Sequence, residues 1–370
     1  MSNSPLAIQE LIDYCIDFLY ASPADLKRCA LVSRYWTPAA QMHLFKQHVV
    51  IGSPGYSYGD STFLAMARQR CRLLYGVLAT SPRLLRFVEE LKIHLDTTPP
   101  DTLKDFATLE FPSLRRIVVF GNWMPAVEAI IEEFLGRGTL TTISLSGNFS
   151  SLSAFTRILA RCSASITDVS FCNVRVPTTG ILPSVGADSP ERRIEIHALD
   201  LWWSSGIHEW LNSPHCCFEF SNLKRLRLNE NIPLPQWVAF APSIPRIEYL
   251  QFQPQITGVK IDLAPFSQLK TIEALIEFRG DISAALETLS TLTRSNQIET
   301  IRFRLTHSSL PDVDSGAAID KRLTALPIPN LRAVELVYLS SPSTSIAENL
   351  PLLNARRLVG VLRTGVAEYN

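Results

Sequence analysis

Leu114–Asn122 reads LRRIVVFGN, and the same spacing returns at Leu140–Asn148 (LTTISLSGN) and Leu223–Asn231 (LKRLRLNEN). In each, an apolar residue is followed three positions later by an alternating apolar pair. That is the pattern of a short strand pointing two side chains into a core, which the leading residue closes one turn earlier. Weaker copies keep the trio without the asparagine: Val88/Leu91/Ile93, Ile166/Val169/Phe171, Ile196/Leu199/Leu201, Ile247/Leu250/Phe252, Leu269/Ile272/Ala274, Ile298/Ile301/Phe303 and Leu331/Val334/Leu336. The first three intervals between leading residues are 26 each, and the later ones run from 22 to 33. A unit repeated at such a period buries its apolar face only by stacking on its neighbours.

The consensus and the period resemble leucine-rich repeats. The expected fold class is therefore α/β, with a parallel sheet on the concave face of a solenoid over 86–340 and helices and loops on its convex face. Returns with helical periodicity are Ala126 to Leu135 behind Pro125, Leu152 to Leu159, and Ile282 to Leu292. The closing asparagine is expected to bond backbone groups in the bend, which also explains Asn148 better than the sequon Asn148-Phe149-Ser150 does. Solenoid ends need caps. A linker and helical cap are expected over 49–85, with a helix from Thr62 to Leu85, and a C-terminal helical cap over 341–370, with a helix from Ile346 to Leu362.

Composition narrows the function. Lys plus Arg and Asp plus Glu are 35 each in 370 residues, so no global field steers the chain onto nucleic acid or an anionic membrane. Seven cysteines are scattered without a C-x-x-C pair, as expected of reduced, buried thiols. The first twenty residues carry Glu10, Asp13 and Asp17 and no basic segment, and no apolar run reaches a membrane span. A cytoplasmic or nuclear location is expected.

Residues 4–48 differ from the rest. Leu11, Ile12, Cys15, Ile16 and Leu19 form a helical stripe, Ser22-Pro23 breaks it, Leu26 to Trp36 starts a second helix, and Pro38 to Phe45 suits a third. Ile8-Gln-Glu10-Leu11-Ile12, Asp25-Leu26 and above all Cys29-Ala-Leu31-Val32-Ser33-Arg34-Tyr35-Trp36 resemble an F-box, with the departure that Ala7-Ile8 stands where that family usually has a proline. The order of helical module, linker and repeats is similar to that of F-box/leucine-rich-repeat proteins. The resemblance implies a non-enzymatic substrate receptor of a cullin-RING ubiquitin ligase of the SCF type, docking on a Skp-family linker subunit and holding a target protein on its repeats. It also assigns Ile8, Leu11, Ile12, Leu26, Leu31, Val32 and Trp36 to the apolar set of the F-box, divided between its own core and the partner. The competing reading is a repeat scaffold or regulator that recruits no ubiquitin machinery.

On the open sheet face, Trp202, Arg225, Arg227, Tyr249, Arg302 and Arg304 are the candidate target contacts, because Trp, Tyr and Arg dominate interface energetics. The arginines would suit an acidic or phosphorylated target. No cofactor or metal is expected. Gly52, Gly55 and Gly59 lack the lysine of a phosphate loop, Asp312/Asp314/Gly316 lacks the bidentate glutamate of a calcium loop, and His208-Glu209 lacks the second histidine of a zinc helix.

Overall fold

The computed structural model describes residues 9–47, 49–53, 61–177, 193–204, 206–229, 244–254, 261–277, 279–305, 313–338, 350–356 and 359–363. The fold is α/β with a large parallel sheet. The chain forms two compact units, residues 1–167 with 174–190, and residues 168–173 with 191–370.

The first unit opens with α1 (Gln9–Asp17), α2 (Pro23–Val32) and α3 (Thr37–Gln47). Ile12, Ile16, Leu26, Cys29, Ala39 and Ala40 form the buried core of this module, with Leu19, Trp36 and Leu44 packed against it. The second helix stops at Val32, short of Trp36, because Ser33 is extended, and Thr37 then donates its hydroxyl to the Ala30 carbonyl at 2.9 Å. After the module come β1 (Val49–Ile51), α4 (Ser61–Thr80), α5 (Pro82–Leu85), β2 (Glu90–His94), α6 (Pro100–Ala107), β3 (Arg116–Phe120), α7 (Pro125–Leu135), β4 (Thr142–Asn148) and α8 (Leu152–Ala160). The helix expected from 62 to 85 breaks at Ser81-Pro82. Strands β1 to β4 lie parallel in chain order, and the short β1, inside the expected linker, pairs with β2.

The second unit carries β5 (starting at Asp168 and running to Arg175), β6 (Ile194–Glu195), β7 (Ala198–Trp202), α9 (Ile207–Leu211), β8 (Phe218–Glu219), β9 (Arg225–Asn229), β10 (Tyr249–Phe252), β11 (Thr271–Ile276), α10 (Arg279–Leu289), β12 (Thr300–Leu305), α11 (Val313–Thr324), β13 (Ala333–Tyr338), α12 (Pro351–Ala355) and β14 (Val359–Arg363). Its sheet order is β5-β7-β9-β10-β11-β12-β13-β14, all parallel, with β6 and β8 forming a separate parallel pair. The helix expected from Ile346 to Leu362 is replaced, in its described part, by the five-residue α12 and by β14, which satisfies its backbone on β13.

Within each compact unit the trios stand in one register. Leu91 faces Ile117 and Ile117 faces Ile143, and in the second unit Leu226, Leu250, Ile272, Ile301 and Val334 follow one another across adjacent strands. Every first member of the paired positions is buried. The leading residues from Val88 to Ile298 are buried too, and the last, Leu331, is partly buried. Before seven of the strands one carbonyl accepts two successive amides of the next repeat. Glu89 O binds the Arg115 and Arg116 amides at 2.9 Å each, and the same double acceptance recurs at Arg115, His197, Lys224, Glu248, Lys270 and Glu299. Those contacts satisfy strand-entry donors that a free edge would leave to water.

The repeat asparagines act differently from the expectation. Asn122 Nδ2 donates to Asp96 Oδ1 at 2.8 Å, and Asn148 Nδ2 donates to Asn122 Oδ1 at 2.7 Å. They form a side-chain ladder between successive units, because equivalent positions stack 26 residues apart. Asn231 lies outside the described residues.

Candidate functional site

Two surfaces hold the residues singled out above. On the N-terminal module the structure divides the apolar set. Ile12 and Leu26 are core, and Trp36 is partly buried against them. Leu11, Leu31 and Val32 point outward at 48%, 88% and 68% exposure. Ile8 lies outside the described residues. The reason is periodicity: α1 buries Ile12 and Ile16 at i and i+4, which turns Leu11 to the other side, and α2 buries Leu26 and Cys29 at i and i+3, which leaves its last turn outside. Tyr14, Phe18, Tyr20 and Tyr35 are exposed as well, with Tyr14 and Phe18 in edge-to-face contact at 4.9 Å. Those aromatics were not singled out from sequence, although Tyr14 and Phe18 stand four apart beside the buried stripe. The module of three short helices thus exposes a dense set of large apolar side chains.

The second surface lies on the sheet of the second unit. Trp202, Arg225, Arg227, Tyr249, Arg302 and Arg304 come from β7, β9, β10 and β12 and share the face that alternates with the buried trio. Trp202 is half-buried. The exposed indole is instead Trp203, 62% accessible and held at φ 46°, a left-handed conformation that is strained in a residue of this size. Buried Ser204 fixes that turn by donating to the Phe171 and Trp202 carbonyls at 3.1 and 2.8 Å.

The arginines are all engaged inside the unit. Arg225 pairs with Asp168 at 2.7 Å, and Arg227 reaches Asp200 at 3.8 Å and lies 5.9 Å from the Tyr249 ring centroid. Glu273, wholly buried on β11, accepts from Arg302 at 3.0 Å, Arg304 at 2.7 Å and the Tyr249 hydroxyl at 3.1 Å. Arg302 also binds Glu335 at 2.6 Å. Burial, then the Glu273 charge, pushes the Tyr249 phenol up to about 12. Four cations thus meet four carboxylates on this face. Charges on adjacent or next-but-one strands at separations of 27 to 57 residues neutralise each other, a pairing invisible until the register is known.

Among the described residues no cluster of three His, Cys, Asp or Glu side chains is arranged to hold a metal ion, and no helix is long and apolar enough to cross a membrane. The residues of the supposed calcium loop lie outside the described residues or in side chains left undescribed. No family model matches the chain, and no curated protein sequence matches it.

Proposed function

We propose that this chain is the substrate-recognition adaptor of an SCF-type ubiquitin ligase, with α1 to α3 serving as an F-box and the parallel strand array as a leucine-rich-repeat solenoid. The module would dock on a Skp-family subunit through Leu11, Leu31 and Val32. The sheet face of the second unit would hold a target protein, with Trp202 and Trp203 as anchors rather than the neutralised arginines.

One observation carries the reading: Leu31, within CALVSRYW, is 88% exposed beside Val32 at 68%, while Ile12 and Leu26 of the same set close a core. Fully burying a leucine side chain in a partner is worth about 2 kcal/mol. Nothing among the module's described residues explains leaving two adjacent apolar residues in water.

The test is association of the purified chain with a purified Skp-family subunit, followed by gel filtration and titration calorimetry. A stoichiometric complex that Leu31→Asp weakens at least about tenfold, with an unchanged melting temperature, supports the proposal. No complex, or one indifferent to Leu31→Asp and Val32→Asp, overturns it and leaves a scaffold without ligase recruitment.

A further inference from the structure

The outward face of α4 carries a feature that the ligase reading does not use. Between Ser61 and Val88 the sequence holds five arginines, Arg68, Arg70, Arg72, Arg83 and Arg86, and no aspartate or glutamate. In a chain whose formal charges cancel, this is a local concentration of positive charge. Arg68, Arg70 and Arg72 are exposed on α4 and form no ion pair among the described residues, in contrast to the four paired arginines of the second unit.

The same helix is apolar on two sides. Ala67, Cys71 and Leu78 are buried, and Tyr75 meets Phe106 of α6 edge-on at 5.7 Å, so that side is spent on the fold. Met66, Leu73 and Val77, at i, i+7 and i+11, make a second ridge at 47%, 63% and 46% exposure, with Arg70 on the same face between them. Gly76 sits beside that ridge inside a 20-residue helix, and a Cβ there would meet nothing within 4 Å. An interior glycine costs a helix about 1 kcal/mol relative to alanine. Here nothing within 4 Å requires the gap.

We propose that this face docks an acidic amphipathic helix of a partner protein, whose apolar seam covers Met66, Leu73 and Val77 and whose carboxylates meet Arg70 within the ridge and Arg72 at its flank. The ridge spans three turns, roughly 16 Å, which is the length of a helix-on-helix contact. An anionic membrane is the weaker occupant, since interfacial helices insert Trp, Phe and Leu and this ridge has no aromatic residue. Phosphate backbones offer nothing to the apolar ridge.

The experiment uses the full chain and a fluorescein-labelled synthetic peptide of about 18 residues, leucines at helical i, i+3, i+4 and i+7 spacing and glutamates elsewhere, read by anisotropy. The expected result is saturable binding that weakens about tenfold or more in Leu73→Glu and in the Arg70→Glu/Arg72→Glu double variant. The wild-type affinity is expected to fall steeply as salt rises to about 300 mM. A peptide with lysines for glutamates should not bind, and Leu31→Asp should leave binding unchanged, which separates this surface from the F-box reading. Circular dichroism melts guard against unfolding, because all substituted positions are exposed. The proposal is overturned if the peptide does not bind or if wild type and variants bind it alike. It is also overturned if vesicles of phosphatidylcholine with roughly 30 mol% phosphatidylserine capture the chain through Leu73 while the peptide does not.

Discussion

A Cβ placed on Gly147 would lie 1.7 Å from the carbonyl oxygen of Gly121, its equivalent 26 residues earlier, and both glycines hold positive φ, 112° and 118°. These two successive repeats of the first unit therefore stack backbone on backbone just where β3 and β4 end. Gly147→Ala combines a left-handed penalty of about 1–2 kcal/mol with an unrelieved clash of similar size. The expected loss is about 2–4 kcal/mol in urea unfolding. Gly76→Ala, in open space on α4, is expected to gain about 0.5–1 kcal/mol. Equal midpoints for both variants would remove the close approach from the account.

Glu273 supplies a second test, because its carboxylate answers two arginines and a phenol with no exposure of its own. Glu273→Gln leaves Arg302 and Arg304 short of a counter-charge, and the expected cost is about 3 kcal/mol. The tyrosine gives the alkaline side. Its folded pKa of about 12 lies above the ordinary value of 10, so the native state keeps the proton that the unfolded chain sheds. Stability is then fully present below pH 10 and declines between about 10 and 12. Tyr249→Phe should flatten that limb in urea midpoints taken across the window. An unchanged slope would detach the phenol from the network.

The strands were legible because each repeat states its register twice, by the leading residue and by the alternating pair. Val49–Ile51 escaped, being three residues with no leading partner and pairing only through β2. Val359–Arg363 escaped because Leu352, Leu353 and Leu358 continue a helical spacing, and the strand is specified by its neighbour β13 rather than by its own pattern. The candidate face was legible as a list of residues. Its chemistry was not, since Arg225 and Asp168 are 57 positions apart and become neighbours only through β7. The module's division was out of reach for a similar reason: Leu11 and Ile12 are adjacent and alike, and only the packing of α3 against α1 and α2 decides which turns inward.

Cysteine reactivity reports the core directly. Burial pushes the Cys162 and Cys216 thiols up to about 12 each, which removes the thiolate that alkylation needs. Cys15 is the exposed thiol among the described residues. Iodoacetamide at about pH 8 should mark Cys15 within minutes and leave Cys71, Cys162, Cys216 and Cys217 unmodified until denaturant is added, as read by peptide mass spectrometry. Early labelling of Cys162 would mean that α8 does not stay docked.

Leu26 and Leu31 lie on one ten-residue helix, the first without exposure and the second almost fully exposed. Leu26→Ala opens a cavity among Ile12, Ile16 and Ala40 and is expected to cost about 2–5 kcal/mol. Leu31→Ala removes no internal contact and should stay within about 0.5 kcal/mol of wild type. The contrast matters because a module of this length has little core to lose. A partner that covers Leu31 would reverse the ranking in the complex: with a Skp-family subunit in excess, Leu31→Ala should forfeit the rise in melting temperature that binding gives the wild type. Equal sensitivity of the free chain to both substitutions would place Leu31 in a core and remove it from the docking surface.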